Sequence, residues 1–160
     1  MAVMKIRKIG DPVLRSKSQP VKEINNKTIE LLDNMRETMY KAEGIGLAAP
    51  QVGILQRIFI VDVNDNLIEF INPQIVSTES KSIMEEACLS IPGESGSVIR
   101  AEKVVMKGFN REGEEIKIKA EGLLARALQH ELDHLDGNLF IDKVIDKEEM
   151  NNIIDNDREM

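Results

Sequence analysis

The sequence predicts an α+β fold, with antiparallel strands grouped in the middle of the chain and helices before and after them. Two pairs of apolar, β-branched runs, each pair separated by turn residues, indicate two hairpins. Helical periodicity occurs in the segments that flank these hairpins. The chain has 160 residues without a repeat, a low-complexity segment or a linker. This length suits one domain over residues 1–160, with a core of its own.

The first predicted elements are helical. Asp11 can cap a short turn in which Pro12 takes the first helical position. A longer helix is predicted from Asn26 to Ala42, because apolar or small side chains recur there at steps of three and four residues. This stripe, which we interpret as core packing, consists of Thr28, Leu32, Met35, Met39 and Ala42. Gly44 is predicted to end the helix.

A segment dominated by small residues follows, from Gly44 to Gly53. Pro50 excludes a regular helix there, because proline lacks the backbone N–H that helices use. Small side chains also let another group approach the backbone closely. We therefore expect that another group comes close to the backbone of this segment.

The middle of the chain contains the two predicted hairpins. Their strands are rich in β-branched and aliphatic residues, and they are residues 57–63 paired with 67–71 and residues 97–109 paired with 114–120. Asn64, Asp65 and Asn66 form the first turn, and residues 110–113 form the second, since both contain the residue types that turns favour.

Two helices are predicted after the hairpins. The first spans Leu123 to Leu135 and ends at Gly137. The second is a short helix near the C-terminus, where Asp146 and Glu149 have the spacing of a capping box. These helices complete the α+β pattern.

Composition excludes several classes of function. The formal net charge of −7 repels polyanions, and aromatic residues make up only 3% of the chain, so we expect no nucleic-acid partner. No apolar stretch reaches the ~18 residues that a membrane span requires. The first ten residues lack the apolar run of a secretion signal. A single cysteine cannot form an internal disulfide, and a lone thiol is easily kept reduced in the cytosol, so a cytoplasmic protein is expected.

A metal-binding motif lies in the helix of residues 123–135. His130, Glu131 and His134 form a His-Glu-x-x-His pattern, in which helical spacing places both imidazoles on one face. The glutamate beside the first ligand can reach a metal-bound water and act as its general base. The chain has no other histidine. Two ordinary helix histidines are the alternative, but both continue an apolar row, where unpaired imidazoles would be costly to bury.

Cys88 is the candidate for a third ligand. A catalytic metal site needs three protein ligands and one open position. A thiolate binds zinc or ferrous iron strongly, and Cys88 is the only cysteine in the chain. Taken alone, a single cysteine is more often a small buried hydrophobic residue. The neighbouring histidine motif favours ligation.

Three segments together resemble the peptide deformylase family. They are the run Gly-Ile-Gly-Leu-Ala-Ala-Pro-Gln at 44–51, the run Glu-Ala-Cys-Leu-Ser at 86–90 and the run Gln-His-Glu-Leu-Asp-His-Leu at 129–135. The resemblance implies β-sheets packed around a central helix that carries the histidines. It also implies removal of the N-terminal formyl group from new polypeptides, with release of formate. The implied metal is Fe²⁺, with Zn²⁺, Ni²⁺ or Co²⁺ as substitutes.

The resemblance also implies a role for each site residue. Cys88, His130 and His134 would hold the metal, and Glu131 would take a proton from the attacking water and pass it to the departing amine. The Gln51 side-chain amide and the Leu89 backbone N–H would donate hydrogen bonds to the formyl oxygen, where negative charge develops.

The implied partner is an N-formylmethionyl peptide, as a nascent chain at the ribosome. Backbone groups at Gly46 would bind it as an added strand. Ile45 and Ala127, near the turn of His130, are expected to form an apolar pocket for methionine. Residues 142–160 contain seven acidic and three basic residues, so we expect no ribosome docking through a basic tail.

The sequence departs from the family pattern at Ala87, where the family has glycine. A left-handed backbone there would strain alanine by about 1 kcal/mol or more, and its methyl group could narrow the cleft. A tolerated exchange of small residues is the simpler interpretation. Nearby, Glu86 and Arg100 both match the family and are candidates for an ion pair. The alternative is an exposed Arg100.

Two other functions fit parts of the pattern. One is a peptidase of the His-Glu-x-x-His type, although such enzymes often take a third histidine or glutamate downstream, and no histidine follows His134. The other is a non-catalytic metal- or peptide-binding module that is impaired at Ala87. The presence of both Glu131 and Gln51 argues against it.

Overall fold

The computed structural model describes residues 2–146. It contains a five-stranded sheet in the order β1-β2-β3-β4-β5, in which every neighbouring pair is antiparallel. The elements are α1 (Asn26–Lys41), β1 (Gly46–Ala48), β2 (Ile58–Val63), β3 (Asn66–Cys88), β4 (Ile91–Phe109), β5 (Glu115–Glu121) and α2 (Gly122–Leu135). The predicted α+β class is confirmed.

Helix α1 begins and ends close to the predicted residues. The Asn25 side chain accepts hydrogen bonds from the first turn, and the Thr28 hydroxyl contacts the Asn25 backbone N–H, which forms a capping box. The prediction for Gly44 is corrected in one respect. Glu43 takes the left-handed conformation at the end of the helix, with φ 58°. Gly44 follows it and donates its N–H to the Met39 carbonyl.

Two short 3-10 turns match features of the sequence. Asp11 caps the first, Pro12–Arg15, by accepting a hydrogen bond from the Val13 N–H. The second, Ala49–Val52, contains Pro50 and lies in the segment of small residues. Proline is compatible with the first turn of such an element, since those N–H groups have no partner within it. This turn brings Gln51 next to the end of β3.

Strand β2 is buried on both faces, which explains its continuous apolar run. Ile58 and Ile60 pack with α1 in one core cluster, and Phe59 and Val61 pack with α2 in another. The helix that carries the histidine motif therefore lies against the sheet, on the face opposite α1. This arrangement confirms the predicted central helix.

Both predicted hairpins are present. Asn64 and Asp65 have φ of 56° and 59° and form a two-residue turn between β2 and β3. The second turn, residues 110–113, ends at Gly113 with φ 77°. The strands are longer than predicted, however. Strand β3 continues to Cys88 and pairs with a strand β4 that already begins at Ile91.

The sequence did not predict the full length of β3, for a physical reason. Residues 74–81 are exposed and mostly polar, so they lack the alternation that marks a half-buried strand. Backbone pairing with β4 holds them, with register shifts near Gln74 and again before Cys88. The long hairpin carries Cys88 at its tip, which is the feature that matters for the site.

Gly137 ends α2 as predicted. We expect Gly137→Ala to lower the free energy of unfolding by about 2 kcal/mol or more, because alanine would be strained at this position. Its φ is 78°, and an added Cβ would lie 2.6 Å from the Arg15 carbonyl oxygen. Gly113 has a similar φ of 77° but open space around it. In urea unfolding, Gly113→Ala should therefore show a smaller loss. Equal losses of unfolding free energy in the two variants would mean that the close approach to the Arg15 carbonyl adds no strain.

The predicted C-terminal helix after Asp146 lies outside the described residues. Within residues 2–146, no helix is long and apolar enough to cross a bilayer.

Candidate metal centre and active site

Cys88, His130 and His134 converge on one point. Cys88 ends β3, and the two histidines lie one turn apart on α2. One donor atom from each residue can be chosen so that all three lie within 4.8 Å of one another. The Cys88 Sγ is 3.4 Å from the His134 Nε2. The structure therefore brings together the three residues that the sequence singled out as ligands.

The separation of these atoms fits a shared metal ion. Metal bonds of about 2.3 Å to sulfur and about 2.1 Å to nitrogen, at tetrahedral angles, place the ligand atoms about 3.5 Å apart. The distance between Cys88 and His134 agrees with this value. A thiolate with two imidazoles also suits zinc or ferrous iron. The site has three protein donors, which leaves a further position for water or substrate.

His130 is held by a buried carboxylate. Its Nδ1 lies 2.9 Å from the Glu86 Oε1, so its Nε2 is the atom left for a cation. His134 is buried at 1% exposure. Within residues 2–146, its Nδ1 has no hydrogen-bond partner.

Glu86 is the centre of a buried ion network. Arg100 binds both of its carboxylate oxygens, at 2.9 and 3.0 Å. Arg126 donates to the same carboxylate and to the Val98 carbonyl. The predicted pair of Glu86 and Arg100 is confirmed, and Arg100 is 5% exposed, so the alternative of an exposed arginine is wrong. Arg100 also pairs with Asp133, within the histidine motif.

Arg126 is a site residue that the sequence analysis missed. It lies on α2 between Ala125 and Ala127, and it is 3% exposed. Its signal was an arginine inside an otherwise apolar helix row, which requires a buried anion as partner. That partner, Glu86, is 40 residues away in sequence.

The surroundings shift the pKa values of these groups in different directions. Burial alone would raise the pKa of Glu86, but hydrogen bonds from His130 and Arg100 outweigh it and hold the pKa well below its usual range. Burial lowers the pKa of His134 well below its usual value, which favours the neutral imidazole that metals bind. Burial acts in the same direction on His130, but hydrogen bonds with Cys88 and Glu86 raise its pKa to about 10.

Glu131 faces the same point from α2. It is 2% exposed, and burial raises its pKa to about 7. Its Oε1 lies 3.9 Å from the His134 Nε2. Gly46 leaves room for it, because a Cβ on Gly46 would lie 2.8 Å from the Glu131 Oε2. The second glycine of the small-residue segment is therefore explained by contact with this carboxylate.

Gln51 completes the wall opposite α2. The Ala48 N–H donates to its Oε1 at 2.9 Å, which fixes the orientation of the amide. The Nε2 then lies 3.1 Å from the Ser90 hydroxyl and 3.5 Å from the Cys88 Sγ. Gln51 thus directs N–H groups toward the candidate metal position.

A cavity of about 400 Å³ opens over these groups. Its walls include apolar side chains from the small-residue segment, the end of β3, the β3–β4 turn and α2, namely Ile45, Ala87, Leu89, Leu123 and Ala127. Ala87 is exposed at the rim. Positive φ in described residues other than glycine is confined to five positions that do not include Ala87. The family's glycine is therefore not required for a left-handed backbone here, and only the methyl group distinguishes Ala87.

Comparison with known proteins agrees with this geometry. The family model described as polypeptide deformylase matches residues 3–150. The chain belongs to the polypeptide deformylase family. The peptide deformylase of Halothermothrix orenii is 65% identical over 147 residues, which cover 91% of this chain and 96% of the relative. The peptide deformylase of Carboxydothermus hydrogenoformans is 55% identical over 143 residues, which cover 89% of this chain and 94% of the relative.

Solved deformylase structures share the fold. The crystal structure of the peptide deformylase from Thermotoga maritima has a TM-score of 0.89 and 40% identity, and covers 91% of this chain and all of that one. Membership in this hydrolase family confirms the resemblance found in the sequence, and it sets aside the alternative of an ordinary peptidase with the same histidine motif.

Proposed function

We propose that this chain, as one catalytic domain over residues 1–160, is a metal-dependent hydrolase that removes the formyl group from N-formylmethionyl peptides and releases formate. The observation that carries the proposal is the convergence of Cys88, His130 and His134, of which Cys88 and His130 line a cavity. Glu131 and Gln51 lie beside them. Family membership supports this chemistry over other hydrolytic reactions at a similar centre.

Cys88, His130 and His134 would hold the metal. The thiolate and two imidazoles suit Fe²⁺, with Zn²⁺, Ni²⁺ or Co²⁺ as substitutes. When bound, a divalent metal supplies Lewis acidity, which lowers the pKa of water toward neutrality. The chain contributes the orientation of the donors, because Glu86 holds the His130 ring through Nδ1.

Glu131 moves the proton in this proposal. Its buried carboxylate lies on the wall of the cavity, next to the metal ligands. It accepts a proton from the attacking water and delivers it to the amine nitrogen as the formyl C–N bond breaks. Glu86 is not available for this role, because His130 and two arginines already bind its carboxylate.

Two donors stabilise the formyl oxygen as it becomes negative. One is the Gln51 amide, whose orientation is fixed by the Ala48 N–H. The other is the backbone N–H of Leu89, a residue that directly follows Cys88 and lines the cavity. Donors that are held in place before the reaction need no reorganisation when charge develops.

The substrate is an extended formylated peptide. Ile45, Leu123 and Ala127 form apolar walls that suit a methionine side chain. The backbone of Gly46 belongs to the edge strand β1 and suits pairing with the peptide main chain. Ala87 contacts the peptide at the rim. In the cell this substrate is the nascent chain, without docking through a basic C-terminal tail.

Gly46→Ala is expected to reduce turnover about a hundredfold, because small misplacements of catalytic groups have effects of this size. The added methyl group would lie 2.8 Å from the Glu131 Oε2 and 3.0 Å from its Cδ, so the carboxylate must move. Metal content should stay unchanged, since no ligand is displaced. Steady-state formate release and metal analysis of the same sample test this. Full turnover would show that the position of Glu131 is not critical.

A comparison of blocked peptides tests the proposed function. Protein loaded anaerobically with ferrous iron is mixed with formyl-methionyl, acetyl-methionyl and unblocked versions of one tripeptide, and both formate and peptide fragments are measured. We expect formate from the first substrate alone and no cleavage of internal peptide bonds. Protein that holds one metal ion and releases no formate would instead support a non-catalytic module. Fragments from the unblocked peptide would indicate a peptidase.

A further inference from the structure

The N-terminal strap, defined here as residues 2–9, crosses the surface from α1 to the β3–β4 turn. Its first half is anchored to α1, because the Ala2 N–H donates to the Asn34 side chain at 2.7 Å and the Met4 N–H donates to the Thr38 hydroxyl at 2.8 Å. These contacts fix the course of the strap before it reaches the active site.

The second half of the strap joins the two walls of the site. The Arg7 N–H donates to the Gln51 carbonyl at 2.7 Å, and the Ile9 N–H donates to the Ser90 carbonyl at 2.8 Å. Gln51 and Ser90 are also joined through their side chains at 3.1 Å. Strap, 3-10 turn and β3–β4 turn therefore form a closed ring of hydrogen bonds. Gln51 and Ser90 are 1% and 0% exposed, so water does not compete with these bonds.

Lys8 adds a side-chain contact to this ring. Its Nζ donates to the Leu89 carbonyl at 2.9 Å, while the rest of the side chain is exposed. Leu89 follows the metal ligand Cys88 and lines the cavity. A hydrogen bond from a charged donor is stronger than one between neutral groups. Lys8 therefore holds the peptide group that lies immediately after the proposed oxyanion donor.

We propose that Lys8 is a positioning residue, which restrains the Leu89–Ser90 turn through the Leu89 carbonyl and so keeps the Leu89 N–H aligned with the formyl oxygen. The N–H and the carbonyl of Leu89 flank one Cα, so fixing the carbonyl narrows the directions that the N–H can take. Lys8 does not touch the substrate. This inference rests on the proposed function, in which the Leu89 N–H is an oxyanion donor.

The restraint is expected to affect turnover more than substrate binding. Donors to the formyl oxygen matter most when negative charge develops, which happens in the transition state and not in the bound substrate. An exposed contact of this kind contributes little to overall stability. A role limited to folding would thus change the unfolding midpoint, whereas a positioning role changes kcat in folded protein.

Four substitutions in the full-length, metal-loaded protein test the proposal. Lys8→Met should lower kcat by about threefold to fivefold, the scale of an exposed charged contact, with KM unchanged, which is the pattern of a lost transition-state interaction. Lys8→Arg, which retains a charged donor, should restore most of the loss. Lys8→Gln keeps an N–H donor but removes the charge, so its kcat separates the effect of hydrogen bonding from that of charge. Lys5→Met removes the same charge from the same strap and should leave kcat unchanged. A wild-type kcat for Lys8→Met would overturn the proposal.

A second measurement does not depend on activity. Amide hydrogen exchange at Leu89 and Ser90, followed by NMR in zinc-loaded protein, should be faster in Lys8→Met than in the parent and unchanged in Lys5→Met. If the parent protein released no formate, the proposed function would fail, and exchange alone would decide whether Lys8 restrains the turn. Equal exchange in the parent and Lys8→Met would overturn the restraint itself.

Discussion

Replacing Glu131 by glutamine is expected to reduce formate release by a factor of about 10² to 10⁴, the usual contribution of a positioned general base. Glutamine has nearly the same shape but cannot accept the proton of the attacking water. The metal ligands are untouched, so metal content should remain that of the parent protein. Initial rates with a formyl-methionyl tripeptide and metal analysis of the same preparation measure both quantities.

The control for this variant is Glu30→Gln, which makes the same chemical change on the exposed surface of α1. Its turnover should equal that of the parent. A Glu131→Gln protein with parental turnover would remove Glu131 from the mechanism. Loss of metal together with turnover would instead assign Glu131 a part in the metal site.

Replacing Glu86 by glutamine is expected to lower the free energy of unfolding by about 3–5 kcal/mol, the typical cost of breaking a buried ion pair by removing one partner. Arg126 would remain buried at 3% exposure without an anion, and Arg100, at 5% exposure, would keep only its pair with Asp133. The amide would also present N–H groups to cationic donors. Because Glu86 holds His130, metal affinity should fall by about 10- to 100-fold as well.

Urea unfolding measures the stability loss, and a competition titration with a chelator measures metal affinity. Asp142→Asn is the control, because it removes a carboxylate from an exposed pair with Arg15. Such pairs contribute about 0–1 kcal/mol. Similar losses for the two variants would contradict the central position of Glu86 in the network.

Local patterns predicted the elements that flank the site. Three such patterns each involve only neighbouring residues: the apolar period of α1, the β-branched run of β2 and the glycine after α2. The structure contains all three features. Helical spacing was also sufficient to place His130 and His134 on one face. Cys88 required a different argument, since nothing near it in sequence indicates that it meets α2. Two arguments connected them: a catalytic metal site needs a third protein ligand, for which Cys88 is the only cysteine, and the family motif contains both segments.

The features that escaped prediction depend on contacts between distant segments. Residues 74–81 are strand because β4 pairs with them, and their own side chains are exposed and polar. Arg126 is tolerated in a buried helix row because Glu86 arrives from β3. The sequence assigned Gly44 to the end of α1 and Gly46 to peptide binding through its backbone. Added Cβ atoms at these positions would also meet Leu89 and Glu131, contacts that only the folded chain creates.

The most direct test of the account is an anaerobic titration of metal-free protein with ferrous iron, in which bound metal and formate release are measured in the same samples. We expect activity to rise in proportion to bound metal and to stop at one ion per chain. Cys88→Ser should bind the ion weakly and release little formate under the same conditions. Full activity in Cys88→Ser, or one tightly bound ion without formate release in the parent protein, would contradict the account.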